Sequence, residues 1–479
     1  MYAGPHDPAL HFLPEVIMKK KYLRRGGFGG KPVRQRGEVI QLSDHFTCRR
    51  LLRFTLPSII MMVFTSIYGV VDGFFVSNFV GKTPFTAVNF VWPFLMILGA
   101  VGFMFGTGGG ALIAKTMGEG HRAEANSLFS LLIYISLGCG AALTIVGLLV
   151  LRPVCVALGA GGQLLEDAIT YGRVLLLGIP AYILQYEFQC LFATAEKPQL
   201  GLYVTVAAGL TNIVLDALLV AVFPLGLVGA AAATVLSQCV GGIIPLLYFA
   251  GPNSSLLRLG RTRFDGRALF KTCTNGSSEL LSNISMSIVS MLYNVQLLHY
   301  AGEDGIAAYG VLMYVNMVFI AVFIGYSVGT APVVSYHYGA QNHEELRGLR
   351  RKSLIITGIF AVLMFAAAEA LARPLSRIFV GYDAGLLDMT LRAFFIYSFS
   401  FLFAGFSIFG SSFFTALNDG LVSAAISFLR TVVFQVAAVL LFPLAWQLDG
   451  IWLSIVAAEV MAVAVTVVFL IAKRRKYRY

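Results

Sequence analysis

Runs of about 20 apolar residues recur from Leu56 almost to the end of the chain, and short polar segments separate them. A helix of this length crosses the roughly 30 Å hydrocarbon core of a bilayer. The pattern therefore predicts an all-α membrane protein with twelve membrane-spanning helices, broken by Gly, Pro and charged residues. The predicted spans lie near residues 54–79, 86–114, 127–151, 164–189, 200–222, 227–250, 270–299, 306–331, 350–372, 388–413, 421–443 and 450–472.

The composition supports this prediction. Of the 479 residues, 58% are hydrophobic and only 12% are charged, with a mean hydropathy of +0.79. The net charge of +11 lies in the loops, so we expect no nucleic-acid partner. The first 45 residues lack a signal-peptide pattern, because their lysines follow the short apolar stretch instead of preceding it. They are predicted to form a basic cytosolic tail, in which Met18 is an alternative start.

The distribution of Lys and Arg predicts the orientation. If the amino terminus is cytosolic, the cytosolic segments hold 28 of the 35 basic residues, the outside loops hold four, and three fall inside spans. Cytosolic loops carry an excess of Lys and Arg. We therefore expect a multi-pass protein of the cell (inner) membrane with both termini in the cytosol.

The twelve spans consist of two copies of one six-helix unit. The stretches MGEGHRAEANSL (117–128) and YGAQNHEELRGL (338–349) align at a spacing of 221 residues, and the same shift pairs Gly229 with Gly450. Six is an even number, so both copies enter the membrane from the same side and form a parallel repeat. The predicted domains are an amino-terminal lobe at 46–250, a cytosolic linker at 251–269 and a carboxy-terminal lobe at 270–479.

Two aspartates lie deep within predicted spans. Asp72 lies about 18 residues and Asp216 about 16 residues from the cytosolic start of their spans, which puts both roughly 25 Å into the membrane. Asn212 lies one turn below Asp216, and Tyr68 lies one turn below Asp72. Thr234, on the sixth helix, reaches a similar level. The sequence predicts that these five side chains meet inside the amino-terminal lobe.

Two carboxylates, an amide, a phenol and a hydroxyl at one level suit a cation-binding site. Hard cations such as Na⁺ take oxygen ligands, and carboxylates held in a low dielectric can load and release protons near neutral pH. Either ion would neutralise the buried charge, so we expect coupling to H⁺ or Na⁺. The alternative is that each aspartate only hydrogen-bonds a neighbouring helix.

The carboxy-terminal lobe lacks an equivalent of this cluster. It carries Glu279, Arg430 and Glu459 in its spans instead, and Glu279 and Arg430 lie at a depth that allows them to pair. These three residues are predicted to form either a second site or a structural ion pair. Aromatic rings are candidates for a cleft that binds a flat organic cation, with simple packing as the alternative for each. They are Tyr293, Tyr309, Tyr314 and Tyr397.

Motifs of several enzyme classes are absent from the sequence. It contains no GxxxxGK[ST] phosphate loop. The six cysteines form no CxxC pair, and no His/Asp/Glu group has zinc-ligand spacing. We therefore expect no enzymatic activity, no bound metal and no cofactor besides the coupling ion.

Four stretches, in this order, resemble the multidrug and toxic compound extrusion (MATE) antiporters, and most closely the bacterial and archaeal branch related to DNA-damage-inducible and MepA-like pumps. The resemblance covers about residues 46–472. The stretches are RFTLPSIIMMVFTSIYGVVDGFFVSNFVG (53–81), GTGGGALIAKTMGEG (106–120), TNIVLDALLV (211–220) and GLVGAAAATVLSQ (226–238).

The resemblance implies a V-shaped pair of six-helix lobes that exports drugs while protons or sodium ions move inward. It places the family's amino-lobe cation site on the five residues named above, and it matches the family's acidic residue of the seventh helix to Glu279. We therefore expect a monomeric efflux antiporter for amphipathic, cationic drugs or toxins that works by alternating access. The alternative is a flippase for lipid-linked saccharides, since related exporters share this architecture.

Overall fold

The computed structural model describes residues 40–80, 82–381 and 383–479, and it is entirely helical in its regular structure there. Most of the predicted basic tail, residues 1–39, lies outside the described residues, and the predicted domain boundaries stay predictions. The α-helices are α1 (Cys48–Phe75), α2 (Lys82–Gly118), α3 (Arg122–Ala157), α4 (Gly162–Leu177), α5 (Ile179–Thr194), α6 (Pro198–Asp216), α7 (Gly226–Ala250), α8 (Gly266–Gly339), α9 (His343–Val380), α10 (Ala384–Ser398), α11 (Phe401–Ala416), α12 (Gly420–Phe428), α13 (Gln435–Ala472) and α14 (Arg474–Tyr477). Three π-helical segments follow α1, α6 and α12, at Val76–Val80, Ala217–Val222 and Leu429–Phe434.

These helices make twelve passes. In the described residues, eight helical stretches are long and apolar enough to cross a membrane, and two bent pairs bring the number to ten. Gln447, with φ 49°, divides one of the eight, Gly420–Ala472, into two passes. Gly302, with φ 65°, divides α8, whose first part carries the polar run NGSSELLSN and falls outside the ten. The predicted twelve-helix fold is confirmed.

The duplication is visible in the backbone. Gly120 (φ 88°) and Gln341 (φ 56°) lie 221 residues apart, and so do Gly226 (φ 59°) and Gln447 (φ 49°). A residue other than Gly rarely adopts positive φ, so two such coincidences at the predicted spacing mark equivalent turns. The bent pairs repeat as well: α4 and α5 meet at 58°, and α10 and α11 meet at 47°. The structure therefore supports two copies of one six-helix unit.

The helix bundle has two ends, which differ in the loops that they carry. We call the basic face the end that carries the loops at 119–121, 195–197, 251–265, 340–342 and 417–419, and we call the opposite end the far face. The positive-inside rule predicts that the basic face is cytosolic. Each lobe has its own apolar core, built around Tyr171 and Leu176 in the amino-terminal lobe and around Phe394 and Trp452 in the carboxy-terminal lobe.

The two lobes touch backbone to backbone near the basic face. A Cβ atom on Gly118 would lie 2.0 Å from the carbonyl oxygen of Tyr336, and one on Gly339 would lie 2.1 Å from that of Lys115. Real Cβ atoms do not approach this closely, so only glycine allows α2 and the end of α8 to pack in this way. Small residues at helix interfaces permit such close approach in membrane proteins.

We expect Gly276→Ala to lower the free energy of unfolding by about 1–3 kcal/mol. Its Cβ would lie 2.0 Å from the carbonyl oxygen of Met104, so α2 and α8 must move apart. Gly310→Ala on the same helix is the control, because nothing lies within 4 Å of its Cβ, and it should be neutral or slightly stabilising. Thermal unfolding of the purified variants in detergent measures the difference, and equal stability of the two would contradict this packing.

A short segment before α1, residues 41–47, joins the lobes across the basic face, and we call it the strap. The backbone N–H of Leu42 donates to Glu196 Oε1 of the amino-terminal lobe at 2.6 Å. The backbone N–H of Phe46 donates to Glu345 Oε1 of the carboxy-terminal lobe at 3.0 Å. Leu42 and Phe46 are both fully buried. The strap therefore holds the lobes together on the side where the glycine contacts also close them.

Candidate functional site

The predicted cluster of the amino-terminal lobe comes together in the structure. The carboxyl group of Asp72, from α1, lies close enough to the side chains of Asp216, Asn212 and Thr234 to interact with them. These come from α6 and α7, so three helices contribute to one group. Asp216 is fully buried and Asn212 is 2% exposed. The depth argument from the sequence therefore placed these four side chains correctly.

The oxygen atoms of this group lack donors. One carboxylate oxygen of Asp72, both carboxylate oxygens of Asp216 and the amide oxygen of Asn212 are buried and accept no hydrogen bond. The Thr234 hydroxyl donates away from them, to the carbonyl of Ala230 at 3.1 Å. Buried ionised carboxylates without partners cost several kcal/mol or more. The ionised form of this group is therefore costly unless further partners are supplied.

Tyr68 lies at the edge of the cluster. Its hydroxyl accepts a hydrogen bond from Gln185 Nε2 at 3.4 Å, and it is close enough to Asp72 to interact electrostatically. Tyr171 is a neighbour that sequence reasoning missed. It is fully buried, its hydroxyl has no hydrogen-bond partner, and it interacts electrostatically with Asp72 and Asp216. A tyrosine in an apolar span carries no distinctive signal, so the sequence offered little ground for choosing it.

The π-helical segments adjoin the charged residues. Asp216 is the last residue of α6 and directly precedes Ala217–Val222, and Asp72 lies one turn before Val76–Val80. The third segment, Leu429–Phe434, contains Arg430. A π-turn inserts a residue into the helix, alters side-chain directions and is frequent at functional sites. All three π segments of the described residues therefore lie at the charged positions that the sequence singled out.

The expected pairing in the carboxy-terminal lobe needs correction. Arg430 pairs with Glu459 and not with Glu279: its Nε lies 2.9 and 3.0 Å from the two carboxylate oxygens of Glu459, and Nη2 lies 2.8 Å from Oε1. Ser407 also donates to Glu459 Oε2, at 3.0 Å. The two partners lie on consecutive antiparallel passes, which brings their side chains closer than the shared depth of Glu279 and Arg430 suggested.

A cavity of about 300 Å³ lies mostly within the carboxy-terminal lobe, with part of its wall from α2 and α5. Glu279, Arg430 and Glu459 are the charged residues of its lining among the described residues. Since Glu459 pairs with Arg430, Glu279 is the acidic residue of this lining that has no salt bridge in the described part of the chain. Met286 lines it and is 63% exposed. It lies about 30 Å along α8 from the basic face, close to the middle of the first pass of this helix.

Three of the four predicted aromatic residues line this cavity. Tyr293 and Tyr309 stack with ring centroids 5.3 Å apart, the Tyr293 hydroxyl lies 2.7 Å from Ser454 Oγ, and Tyr397 lies beside them. Tyr314 does not line the cavity. It is 40% exposed and stacks on Phe379 at 5.9 Å. It lies five positions after Tyr309, and this offset turns it to a different face of α8.

Sequence reasoning also missed a buried acid. Glu187 of α5 is fully buried, and neither of its carboxylate oxygens has a hydrogen-bond partner. The sequence does contain a signal for this residue, because the stretch YILQYEFQCLF has an acidic residue inside an apolar span. Acidic residues within membrane spans are rare and tend to be functional.

The profile of the family described as MatE matches residues 57–218 and 280–441, which is well over half of the chain and covers most of both six-helix units. Among curated relatives, the multidrug export protein MepA of Staphylococcus saprophyticus is 24% identical over 361 residues, covering 74% of this chain and 80% of the relative. The MepA protein of one Staphylococcus aureus strain is 22% identical over 429 residues, covering 89% of this chain and 94% of the relative.

Solved structures show the same fold. The outward-facing conformation of a multidrug resistance MATE family transporter of the MOP superfamily has a TM-score of 0.86 at 24% identity, covering 91% of this chain and 97% of that one. A MOP superfamily transporter from Pyrococcus furiosus has a TM-score of 0.85 at 24% identity, covering 91% and 98% of the two chains. With the duplicated twelve-helix fold and the family profile in both halves, the chain belongs to the MatE family of membrane transporters.

Proposed function

We propose that this chain is a secondary active antiporter that exports amphipathic organic cations in exchange for H⁺ or Na⁺. The observation that carries the proposal is the group of buried oxygen atoms on Asp72, Asn212 and Asp216 that no donor satisfies. A scaffold has no use for two carboxyl groups at one buried level without a counter-charge. An ion-coupled transporter needs such carboxyl groups, because it loads and unloads a cation at a buried acidic site.

Either coupling ion suits this group. Asp72, Asp216, Asn212 and Thr234 together offer six side-chain oxygen atoms, and hard cations take about six oxygen ligands. A proton shared between the two carboxyl groups would also remove the repulsion between them. Ion loading favours one conformation of the amino-terminal lobe, and substrate binding favours the other, so the two compete through differential affinity.

The cavity supports a cationic substrate. The Arg430–Glu459 pair is neutral, so the free carboxylate of Glu279 attracts positive charge, and the stacked rings of Tyr293 and Tyr309 add flat apolar surface for a cation–π contact. A lipid-linked saccharide carries a diphosphate, which Glu279 would repel. The cavity charge therefore favours drug export over saccharide flipping.

The closed basic face supports an outward-facing conformation. The strap and the glycine contacts join the lobes there, while the cavity extends to Tyr293 and Tyr309, toward the far face. If the basic face is cytosolic, as its Lys and Arg content predicts, this is the state that releases substrate outside. Relatives at high structural similarity include a MATE transporter in an outward-facing conformation. The lobes would rock apart at the basic face to accept substrate from the cytosol.

Reconstitution tests the proposal. Purified protein in liposomes is exposed to a proton gradient, a sodium gradient, both or neither, and the movement of ethidium is followed by fluorescence. We expect movement against the ion gradient with one of the two ions and none in protein-free liposomes. Dye movement that is independent of both gradients would contradict antiport.

We expect Glu279→Gln to weaken the apparent affinity for ethidium about tenfold, which corresponds to about 1.4 kcal/mol, because the cavity loses its unpaired negative charge. An uncharged substrate of similar size should be unaffected. Initial transport rates over a range of dye concentrations measure the change. The control is Glu166→Gln, whose side chain is 63% exposed. Equal loss for charged and uncharged substrates would contradict an electrostatic role of Glu279.

A further inference from the structure

Glu187 carries a buried carboxyl group that has no role in the transport cycle proposed above. It lies on α5, is fully buried, and has no hydrogen-bond partner for either oxygen. No charged side chain in the described part of the chain interacts with it. It therefore differs from Glu459, which has an arginine and a serine as partners.

Three helices enclose Glu187. The Ser136 side chain of α3 lies beside the carboxyl group, is fully buried, and its hydroxyl also lacks a partner. On α2, a Cβ atom at Gly106 would lie 3.1 Å from the Glu187 Cα. The titratable groups that come nearest are Cys190, which follows on α5, and Glu279 of α8, which interacts with Cys190. None of these groups brings a positive charge to Glu187.

The surroundings select the ligand that Glu187 can bind. An ionised, unpaired carboxylate in this position would cost several kcal/mol or more. Sodium would require about six oxygen ligands, whereas Glu187 and Ser136 supply three side-chain oxygen atoms. A single proton resolves the problem, because a protonated carboxyl group can donate a hydrogen bond to the Ser136 hydroxyl. The added proton also removes the buried charge, which the Ser136 hydroxyl alone cannot do.

We propose that Glu187 is a second proton-binding site of the amino-terminal lobe, loaded in the conformation described above and exchanging its proton toward the basic face when the lobes part there. The role in transport rests on the proposed antiport function, whereas the bound proton does not. The ligand is a proton only, so the site remains distinct from the Asp72 and Asp216 cluster even if that cluster binds sodium.

The position of Glu187 fits exchange toward the basic face. It lies seven residues before the end of α5 at Thr194, so it is about 10 Å from that face, whereas Asp216 lies about 27 Å along α6. Gly106 and Cys190, which line the cavity, are also the residues packed against Glu187. Since both are small, the backbone of Glu187 lies close to the wall of this cavity.

Infrared spectroscopy of the purified protein tests the bound proton. At neutral pH, Glu187→Gln should remove one carbonyl band of a protonated carboxylic acid, and this band should persist in Asp72→Asn and Asp216→Asn. The control Glu166→Gln should remove only bands of an ionised carboxylate. If Glu187→Gln also removes only ionised carboxylate bands, the proposal is overturned. Should that variant not fold, Glu187→Asp must shift the protonated-acid band, and an unshifted band overturns the proposal.

Transport tests the exchange step. In liposomes, wild-type ethidium transport should vary with the pH on the basic-face side, and Glu187→Gln should flatten this dependence while Glu166→Gln keeps it. An unchanged pH profile in Glu187→Gln overturns the exchange step. If reconstituted protein shows no ion-driven transport at all, the antiport proposal fails, and the infrared result still decides whether Glu187 holds a proton.

Discussion

Asp216→Asn should reduce ion-driven ethidium transport by about tenfold or more, and Asp72→Asn should do the same. Each replacement keeps the size and polarity of the side chain but removes a group that can bind a cation. The loss is large because each replacement removes one of the two carboxyl groups of the buried cluster, and without ion loading the ion gradient no longer shifts the equilibrium between the two conformations. The rate of dye movement in liposomes under an imposed gradient measures the effect.

The controls separate coupling from folding. Both variants should keep the thermal stability of the wild type, because an asparagine satisfies the neighbouring groups at least as well as an unpartnered carboxylate does. Glu166→Gln, at an exposed position, should transport normally. Full transport by the double variant, with Asp72 and Asp216 both replaced, would contradict the assignment of the cation site. If the replacement abolishes only the transport that a proton gradient drives, the ion bound at this cluster is H⁺.

Arg430→Met should lower the free energy of unfolding by about 3–5 kcal/mol. The replacement has a similar volume, but it leaves the carboxylate of Glu459 without its counter-charge, and this side chain is only 3% exposed. Removing one partner of a buried ion pair costs far more than the pair contributes when intact. Denaturant unfolding of the purified protein in detergent measures the change.

The double variant Arg430→Met with Glu459→Met shows whether the loss comes from the stranded charge. It should recover most of the stability, because a well-packed apolar pair often equals a buried ion pair. Arg392→Met is the matched control: Arg392 pairs with Asp449, but its side chain is 70% exposed, so its loss should cost less than about 1 kcal/mol. If Arg430→Met is as stable as Arg392→Met, Glu459 does not depend on its arginine.

The amino-terminal cluster was predictable because its residues share one depth. Helical rise converts a residue count into a height, and Asp72 and Asp216 lie at matching heights within neighbouring passes. The i,i+4 rule then added Asn212 and Tyr68 on the same helix faces. The 221-residue spacing predicted the repeat, and the turns at Gln341 and Gln447 bear it out in the backbone.

The height of a residue in the membrane does not determine which helices are neighbours. The incorrect predictions for Glu279 and Tyr314 follow from this. Glu279 and Arg430 lie at one depth, yet Glu459 on the next antiparallel pass takes the arginine. Tyr314 lies on the same helix as Tyr309 but on another face. Tyr171 interacts with both aspartates from α4, a helix that contributes no residue to the predicted cluster. Such neighbours depend on packing angles that no periodicity encodes.

The close packing of α2 and α8 at Gly118 and Gly339 has a consequence for the origin of the molecule. Gly118 meets Tyr336 and Gly339 meets Lys115, and both pairs of equivalent residues lie 221 positions apart. Each half therefore presents the same patch to the other, as the subunits of a two-fold symmetric homodimer do. A single six-helix chain with this patch would bind a second copy of itself, so gene duplication and fusion needed no new interface. The acids at 72, 187 and 216 were then free to diverge in one half only.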